Sequence, residues 1–329
     1  MRQFEFASPK TKQQAVGLLG NSFDDAAVLA GGTDLLALMK DDVVHPKRLV
    51  NIKQVAEMHG VTPRPVEIRV GALTTLGELA ETVAIRSSFP ILHEALWEAA
   101  SEQIRNMATL GGNLCQRPRC WYFRNGMGLM PDSLQKGDIR YHAILGNLGP
   151  AIFVSPSTVV PALIALNAKV RIVGANSARE IALEKLYRTP QKETEREHDL
   201  APNEIVTEIV IPHVSGDTRM GYNEVRQKEA FDWPYASCAV VIQMKDDKVA
   251  SARVVLNQVA PTPWISLEAA NALAGKPLNE EAAAAAADAA LAPARSLGQN
   301  RYKITLAKVA VKRAILAAFQ PKPRVAHHG

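Results

Sequence analysis

The feature that most constrains this chain is a pair of glycine turns set far apart in its sequence. Val28-Leu29-Ala30-Gly31-Gly32-Thr33-Asp34-Leu35 runs from an apolar strand into two glycines, a hydroxyl and a carboxylate. Gly-Gly has no side chain to block a ligand and reaches positive φ without strain. Successive backbone N–H groups in such a turn form a nest for an anion such as a pyrophosphate. One Gly-Gly alone is more often an ordinary tight turn after a strand. The second stretch, Arg105-Asn106-Met107-Ala108-Thr109-Leu110-Gly111-Gly112-Asn113, repeats the chemistry: a hydroxyl close to two glycines, then a side-chain amide. The pair predicts a fold in which two nests close over one long phosphate-bearing ligand.

The flanking patterns predict how the chain reaches these turns. Phe4 and Phe6 alternate with polar neighbours, as a short strand does. Ser8-Pro9 offers an N-cap and a proline at the first helical position, and Gly20 offers the stop. Ala26–Ala30 and Arg48–Ile52 read as strands, with a short helix from Leu35 to Met39 whose N-terminal dipole favours a phosphate. Thr62-Pro63-Arg64-Pro65 reads as a stiff turn and subdomain boundary. Val66–Gly71 alternates as a strand, Thr75-Leu76-Gly77-Glu78 matches a capping box, and Pro90 opens another helix. Residues 114–150 are irregular, and so long a loop in a compact domain is usually functional or poorly ordered. Ser155–Thr158 caps a helix over Val159–Leu166, and strands follow at Ala168–Val173 and Glu204–Pro212. The polar run Thr189–Asn203 reads as a solvated loop. Beyond it, Val225, Ala236–Met244 and Val249–Leu256 predict antiparallel strands, followed by helices over Asn279–Leu291 and Tyr302–Phe319. Lys308 and Lys312 share a face of the last helix.

The chain has 329 residues and 47% hydrophobic content, enough for two or three packed units. Its net charge of +5 is scattered, with no basic run of the kind that reads as a nucleic-acid arm. Three cysteines give no disulfide framework, which points to a reducing compartment, and a cytoplasmic location is the expectation. The first residues show no apolar signal core and no run reaches membrane-spanning length; export as a passenger of a partner stays open. Neither glycine turn is a G-x-G-x-x-G fingerprint, there is no G-x-S-x-G elbow, and the eight histidines show no metal-ligand spacing.

The segments Ala30–Asp34 and Arg105–Asn113 resemble the FAD-binding medium subunit of molybdenum hydroxylases, the flavin subunits or domains of xanthine, aldehyde and carbon monoxide dehydrogenases. Looser similarities extend through Glu204–Pro212, Phe231–Ala236 and Gly298–Lys303. The resemblance implies an α+β fold: a two-lobed FAD-binding domain of the PCMH/VAO type over residues 1–214, with lobes of about 1–58 and 59–214. A C-terminal α/β domain with an antiparallel sheet and helices over 215–320 and a flexible tail, 321–329, complete the expectation. It implies FAD as cofactor, contacted by Leu29, Ala30, Gly31, Gly32, Thr33, Asp34 and Leu35 at the first turn. Thr109, Gly111, Gly112 and Asn113 would contact it at the second, with Thr158, Leu186 and Glu224 elsewhere. No side chain is expected to act as a catalytic acid or base, because flavin carries the hard chemistry.

The resemblance also implies partners: a molybdopterin-binding large subunit and a small [2Fe–2S] subunit, with NAD or another electron acceptor beyond. The alternatives are a free-standing flavin oxidoreductase and an assembly subunit with vestigial flavin. Two family positions depart. An Asp commonly following Pro-Ser is Thr158 here, and a lysine common near Tyr222–Arg226 is Glu224, with Arg226 or Lys228 as possible substitutes. Some family members hold an iron–sulfur cluster in a loop at residues 114–150, and Arg119-Cys120 resembles its first ligand. A cubane held by thiolates needs four cysteines; this chain has Cys115, Cys120 and Cys238, so no metal is expected and the first two read as free thiols near the flavin.

Overall fold

The computed structural model describes residues 1–131, 137–214, 216–228 and 232–319. Three sheets organise them. Strands β1 (Glu5–Ala7), β2 (Ala26–Leu29) and β3 (Arg48–Asn51) form a small parallel sheet in the order β1-β3-β2. Parallel neighbours need crossovers, and the helices Lys12–Gly17 and Leu35–Lys40 supply them. The first helix is capped by Thr11, whose hydroxyl accepts from the Gln14 N–H, and not by Ser8; it ends at Gly17, a turn before Gly20.

The second sheet is antiparallel, in the order β4 (Val61–Pro63), β5 (Glu67–Gly71), β8 (Ile205–Pro212), β6 (Lys169–Val173), β7 (Ala178–Ala182). The expected turn at Thr62–Pro65 is therefore mostly strand: Val61 pairs with Val70 and Pro63 with Ile68. Proline is tolerated there because β4 is an edge strand. The capping box at Thr75 and Glu78 forms as expected, with both reciprocal hydrogen bonds. Ser157, the third residue of the Ser155–Thr158 run, takes the Val160 N–H at the start of the helix Val160–Ala165. The stretch Thr189–Asn203 is only partly solvated, since Glu197 and His198 are buried.

The third sheet is antiparallel, in the order β12 (Trp264–Ile265), β11 (Lys248–Asn257), β10 (Ala236–Lys245), β9 (Thr218–Val225). β10 reads as an unbroken apolar run because it is buried on both faces. Ala239 and Val241 join the core shared with the helix Val160–Ala165, whereas Ala236, Cys238, Val240 and Ile242 face the alanine-rich helices Glu280–Leu291 and Tyr302–Phe319. A two-residue alternation thus joins two cores through one strand. Alanine lets these layers approach closely: a Cβ on Gly221 of β9 would lie 2.0 Å from the Ala314 carbonyl oxygen. In this layer the sequence patterns also pass over the helix Leu267–Leu273, capped by Ser266. The terminal tail 321–329 lies outside the described residues. Among the described residues no helix is long and apolar enough to cross a membrane.

Lys303 closes the junction between the irregular loop and this third layer. It is 1% exposed, and its Nζ donates to the carbonyls of Tyr141 (2.7 Å), His142 (3.1 Å) and Gln258 (2.8 Å). Burial pulls its ammonium down to about 7, yet three acceptors match the three hydrogens of the charged form. By contrast, Lys308–Asp288 and Lys312–Glu280 tie the last two long helices together at the exposed surface, where such pairs contribute about 0–1 kcal/mol. Lys303→Met keeps the apolar stem and strands the Tyr141 and Gln258 carbonyls, while the His142 carbonyl keeps Asn300 Nδ2; it should cost about 3 kcal/mol, against under about 1 kcal/mol for Lys312→Ala. Urea unfolding of the two variants measures this, and equal losses would show that the lysine is not the anchor described.

Candidate functional site

The first glycine turn leaves β2 beside the Ile52 N–H, which donates to the Leu29 carbonyl, and re-enters helix at Leu35. Gly32 has φ +78°, so glycine is needed there on conformational grounds. Gly31 is needed for another reason: a Cβ on it would lie 1.9 Å from the Met107 carbonyl oxygen of the second stretch. The two glycine turns therefore touch, backbone against backbone. Gly111 likewise has no room for a methyl, which would lie 2.8 Å from the Ala72 Cβ. Openness toward a ligand, the reason expected from sequence, does not account for these two glycines; close packing does.

The turns also differ in what they can donate. Among the described residues, no acceptor takes up the backbone N–H groups of Gly31, Gly32, Thr33 and Asp34. The second turn is self-satisfied. Leu110 N–H donates to the Thr74 carbonyl, Gly111 to Ala72, Gly112 to the Thr109 hydroxyl at 3.1 Å and Asn113 to the Thr109 carbonyl. Thr109 acts as the N-cap of the helix Leu110–Leu114, and that helix is closed at its far end on the Leu114 carbonyl by Tyr187 Oη and His198 Nε2. The expectation of two equivalent nests is corrected: one turn offers free N–H groups and the other forms a wall.

That wall and the nest enclose one cavity of about 460 Å³, within the usual range for ligand pockets. Ala30, Gly31, Gly32, Thr33, Asp34 and Leu35 line it from the first turn, and Thr109, Gly111 and Gly112 from the second. The Asp34 carboxylate is already engaged. It accepts from the Arg117 N–H at 2.9 Å and pairs with Arg124 at 2.7 Å and Arg119 at 3.0 Å. It thus clamps the start of the irregular loop onto the first turn. Leu29 points into a small core with Met39 and Leu49. Asn113, Thr158, Leu186 and Glu224 are not among the cavity walls. Asn113 Oδ1 accepts from the Ser157 hydroxyl, the Thr158 carbonyl accepts from Tyr222 Oη, and Leu186 is fully buried in the main core. Burial pushes the Glu224 carboxyl up, and its partners Arg226 and Tyr222 recover only part of that shift.

Residues that pattern reading passed over complete the walls. Arg117 forms a buried ion pair with Glu197, and Arg196 stacks over Phe23 at 4.2 Å. Burial raises the Glu197 carboxyl, but its neighbours, the Arg117 guanidinium foremost, outweigh that and hold it below the usual carboxylate range. Burial lowers His198, which stays a neutral cap. Cys115 also lines the cavity, and burial pushes its thiol up to about 12. Cys120 is raised for the same reason, and its Sγ lies 3.3 Å from His142 Nε2. Among the described residues no group of three or more His, Cys, Asp and Glu side chains is placed to hold a metal ion.

Residues 2–214 match the family model described as the FAD binding domain in molybdopterin dehydrogenase, and residues 221–318 match the CO dehydrogenase flavoprotein C-terminal domain. The chain belongs to this family of FAD-binding subunits. It is 30% identical over 321 residues to the carbon monoxide dehydrogenase medium chain of Hydrogenophaga pseudoflava, covering 96% of this chain and 97% of that one. It is 31% identical over 319 residues to the aldehyde oxidoreductase FAD-binding subunit PaoB of Escherichia coli (strain K12), covering 94% and 96%. A solved carbon monoxide dehydrogenase from Hydrogenophaga pseudoflava superposes with a TM-score of 0.77 at 29% identity, over 97% of this chain and 98% of that one. The cofactor of this flavoprotein subunit is FAD, and the fold is the mixed α/β architecture of its relatives.

The contact at Gly31 gives a direct prediction. Gly31→Ala must push the two turns apart; it should destabilise the chain by about 2 kcal/mol and weaken FAD binding at least about tenfold, which is about 1.4 kcal/mol. Gly17→Ala, where no atom lies within 4 Å of the added carbon, serves as the control and should change neither. Flavin fluorescence titration and thermal melts read both effects; wild-type affinity in Gly31→Ala would refute the assigned contact.

Proposed function

We propose that this subunit holds the FAD diphosphate on the free N–H groups of Gly31–Asp34 and relays electrons through the flavin. The source is a partner's [2Fe–2S] centres and the sink an external acceptor. The observation that carries this reading is the run of unpaired donors opening onto a cavity walled by the second glycine turn. Anion recognition by such a run needs no charged side chain, consistent with an Asp34 carboxylate already neutralised by arginines. Bound flavin supplies the two-electron and one-electron chemistry; the protein's share is position and electrostatics.

Within that reading, Thr109, Gly111 and Gly112 wall the diphosphate region while Ala30, Thr33 and Leu35 line its other side. Asn113, Thr158 and Glu224 support it from behind, through Ser157 and Tyr222, and Leu186 through the apolar core. Division at about residue 214, with lobes near 1–58 and 59–214, follows the change from the first two sheets to the third. The relatives are a medium chain and an FAD-binding subunit by name. This supports a molybdopterin-binding large subunit and a [2Fe–2S] small subunit as partners, and the unpaired thiols agree with a cytoplasmic setting.

Co-expression with the products of the neighbouring reading frames tests the partnership. A tagged chain should capture an assembly containing molybdenum, iron and one FAD per chain, whereas the chain expressed by itself should carry FAD without iron. Substrate turnover by the lone chain, or capture of no metal-bearing partner, would contradict the proposal.

A further inference from the structure

His198 lines the FAD cavity, and its two ring nitrogens face different company. Nε2 lies 3.1 Å from the Leu114 carbonyl oxygen. A carbonyl can only accept, so this nitrogen carries the ring proton and Nδ1 keeps its lone pair. Nδ1 stands 3.9 Å from Glu197 Oε1, too far for a hydrogen bond but within reach of an ion pair. Glu197 is itself 4% exposed. Its Oε1 accepts from Arg117 Nε, while its Oε2 is buried with no hydrogen-bond partner among the described residues. A buried carboxylate oxygen left without a donor is unfavourable. Protonation of His198 Nδ1 would turn a lone pair beside this carboxylate into a charged donor.

The surroundings hold the ring neutral until negative charge is added nearby. Burial lowers His198 most, Glu197 raises it, Arg117 lowers it, the Leu114 carbonyl raises it and Arg196 lowers it again. Two guanidiniums against one carboxylate leave this cluster with an excess positive charge, so a further cation is disfavoured. The other titratable neighbours stay neutral. Tyr187 tilts against the ring at 5.5 Å and donates to the same Leu114 carbonyl, and burial raises its phenol well above the usual range. Cys115, in the same cavity wall, is pushed up to about 12 by burial. Of these groups, His198 is the one whose ordinary range lies near physiological pH.

We propose that His198 takes up a proton on Nδ1 when the flavin is reduced and gives it back on reoxidation, with Glu197 as the carboxylate that holds the charged ring. The inference rests on the flavin reading above. Two electrons arrive from a reduced iron–sulfur centre of the partner. One proton from solvent goes to the flavin and a second to His198. The negative charge gained by the flavin is thereby matched in the cavity wall, and the two arginines keep the ring from charging before the electrons arrive.

The test is a spectroelectrochemical titration of the full FAD-loaded chain at a series of pH values. His198→Gln keeps an N–H for the Leu114 carbonyl and cannot become charged. The midpoint potential of the wild type should fall about twice as steeply with pH as that of His198→Gln, because two protons instead of one accompany the two electrons. Tyr187→Phe removes the other donor to the Leu114 carbonyl and should keep the wild-type slope. Infrared difference spectra of the wild type with isotope-labelled histidine should show an imidazolium formed on reduction, which reads the proton directly even where His198→Gln loses FAD. Equal slopes for wild type and His198→Gln, or no imidazolium on reduction, would overturn the proposal and leave FAD binding standing. A chain that holds no reducible flavin would refute the flavin reading, and this inference with it.

Discussion

The structure depends on one contact: the Gly31 backbone lying against the Met107 carbonyl, with no space for even a methyl carbon between them. Seventy-odd residues of chain separate these positions, yet the contact fixes the first glycine turn against the second. It needs no side chain, so its geometry is set by two backbones and is as rigid as the elements that carry them. On one side stands the parallel β1-β3-β2 sheet, and on the other the helices that lead into Thr109. The Asp34–arginine clamp then adds the irregular loop as a third wall. The Asp34 carboxylate, 16% exposed, is met by three donors, and either arginine alone still balances its charge.

The second turn contributes through its connections and not through its amides. Asn113 receives the Ser157 hydroxyl, the Ser157 carbonyl receives Asn257 Nδ2, and Ser237 donates to Gln258. This buried chain of hydrogen bonds runs from the glycine turn to the ends of β10 and β11. It sets the register of the third sheet on the FAD-binding part, in a place where an unsatisfied group would be costly. Glu224 sits behind Thr158 in the same layer, linked through Tyr222. A substitution there would reach the FAD cavity through packing.

Much of this was legible in the sequence because it is local. The paired glycine turns, the capping box at Thr75 and the continuous apolar run of β10 each follow from residues within one element. What escaped is decided by tertiary neighbours. Glu197 and His198 sit in a polar run that reads as solvent-exposed, and only the approach of Arg117 and of the Leu114 carbonyl makes burial affordable. The strand at Val61–Pro63 hides behind two prolines because only its edge position excuses them. The helix start at Thr11 in place of Ser8 turns on a single hydroxyl reaching the Gln14 N–H. The inequality of the two glycine turns had no sequence signal: both read as nests, and the difference lies in whether Ala72, Thr74 and Thr109 already occupy the N–H groups.

The most direct measurement is a crystal structure of the FAD-bound chain. The account predicts diphosphate oxygens within about 3 Å, hydrogen-bonding distance, of the N–H groups of Gly31–Asp34, with the Gly111 N–H still on the Ala72 carbonyl. A diphosphate seated away from the first turn, or Gly31 and Met107 parted by the bound cofactor, would contradict it.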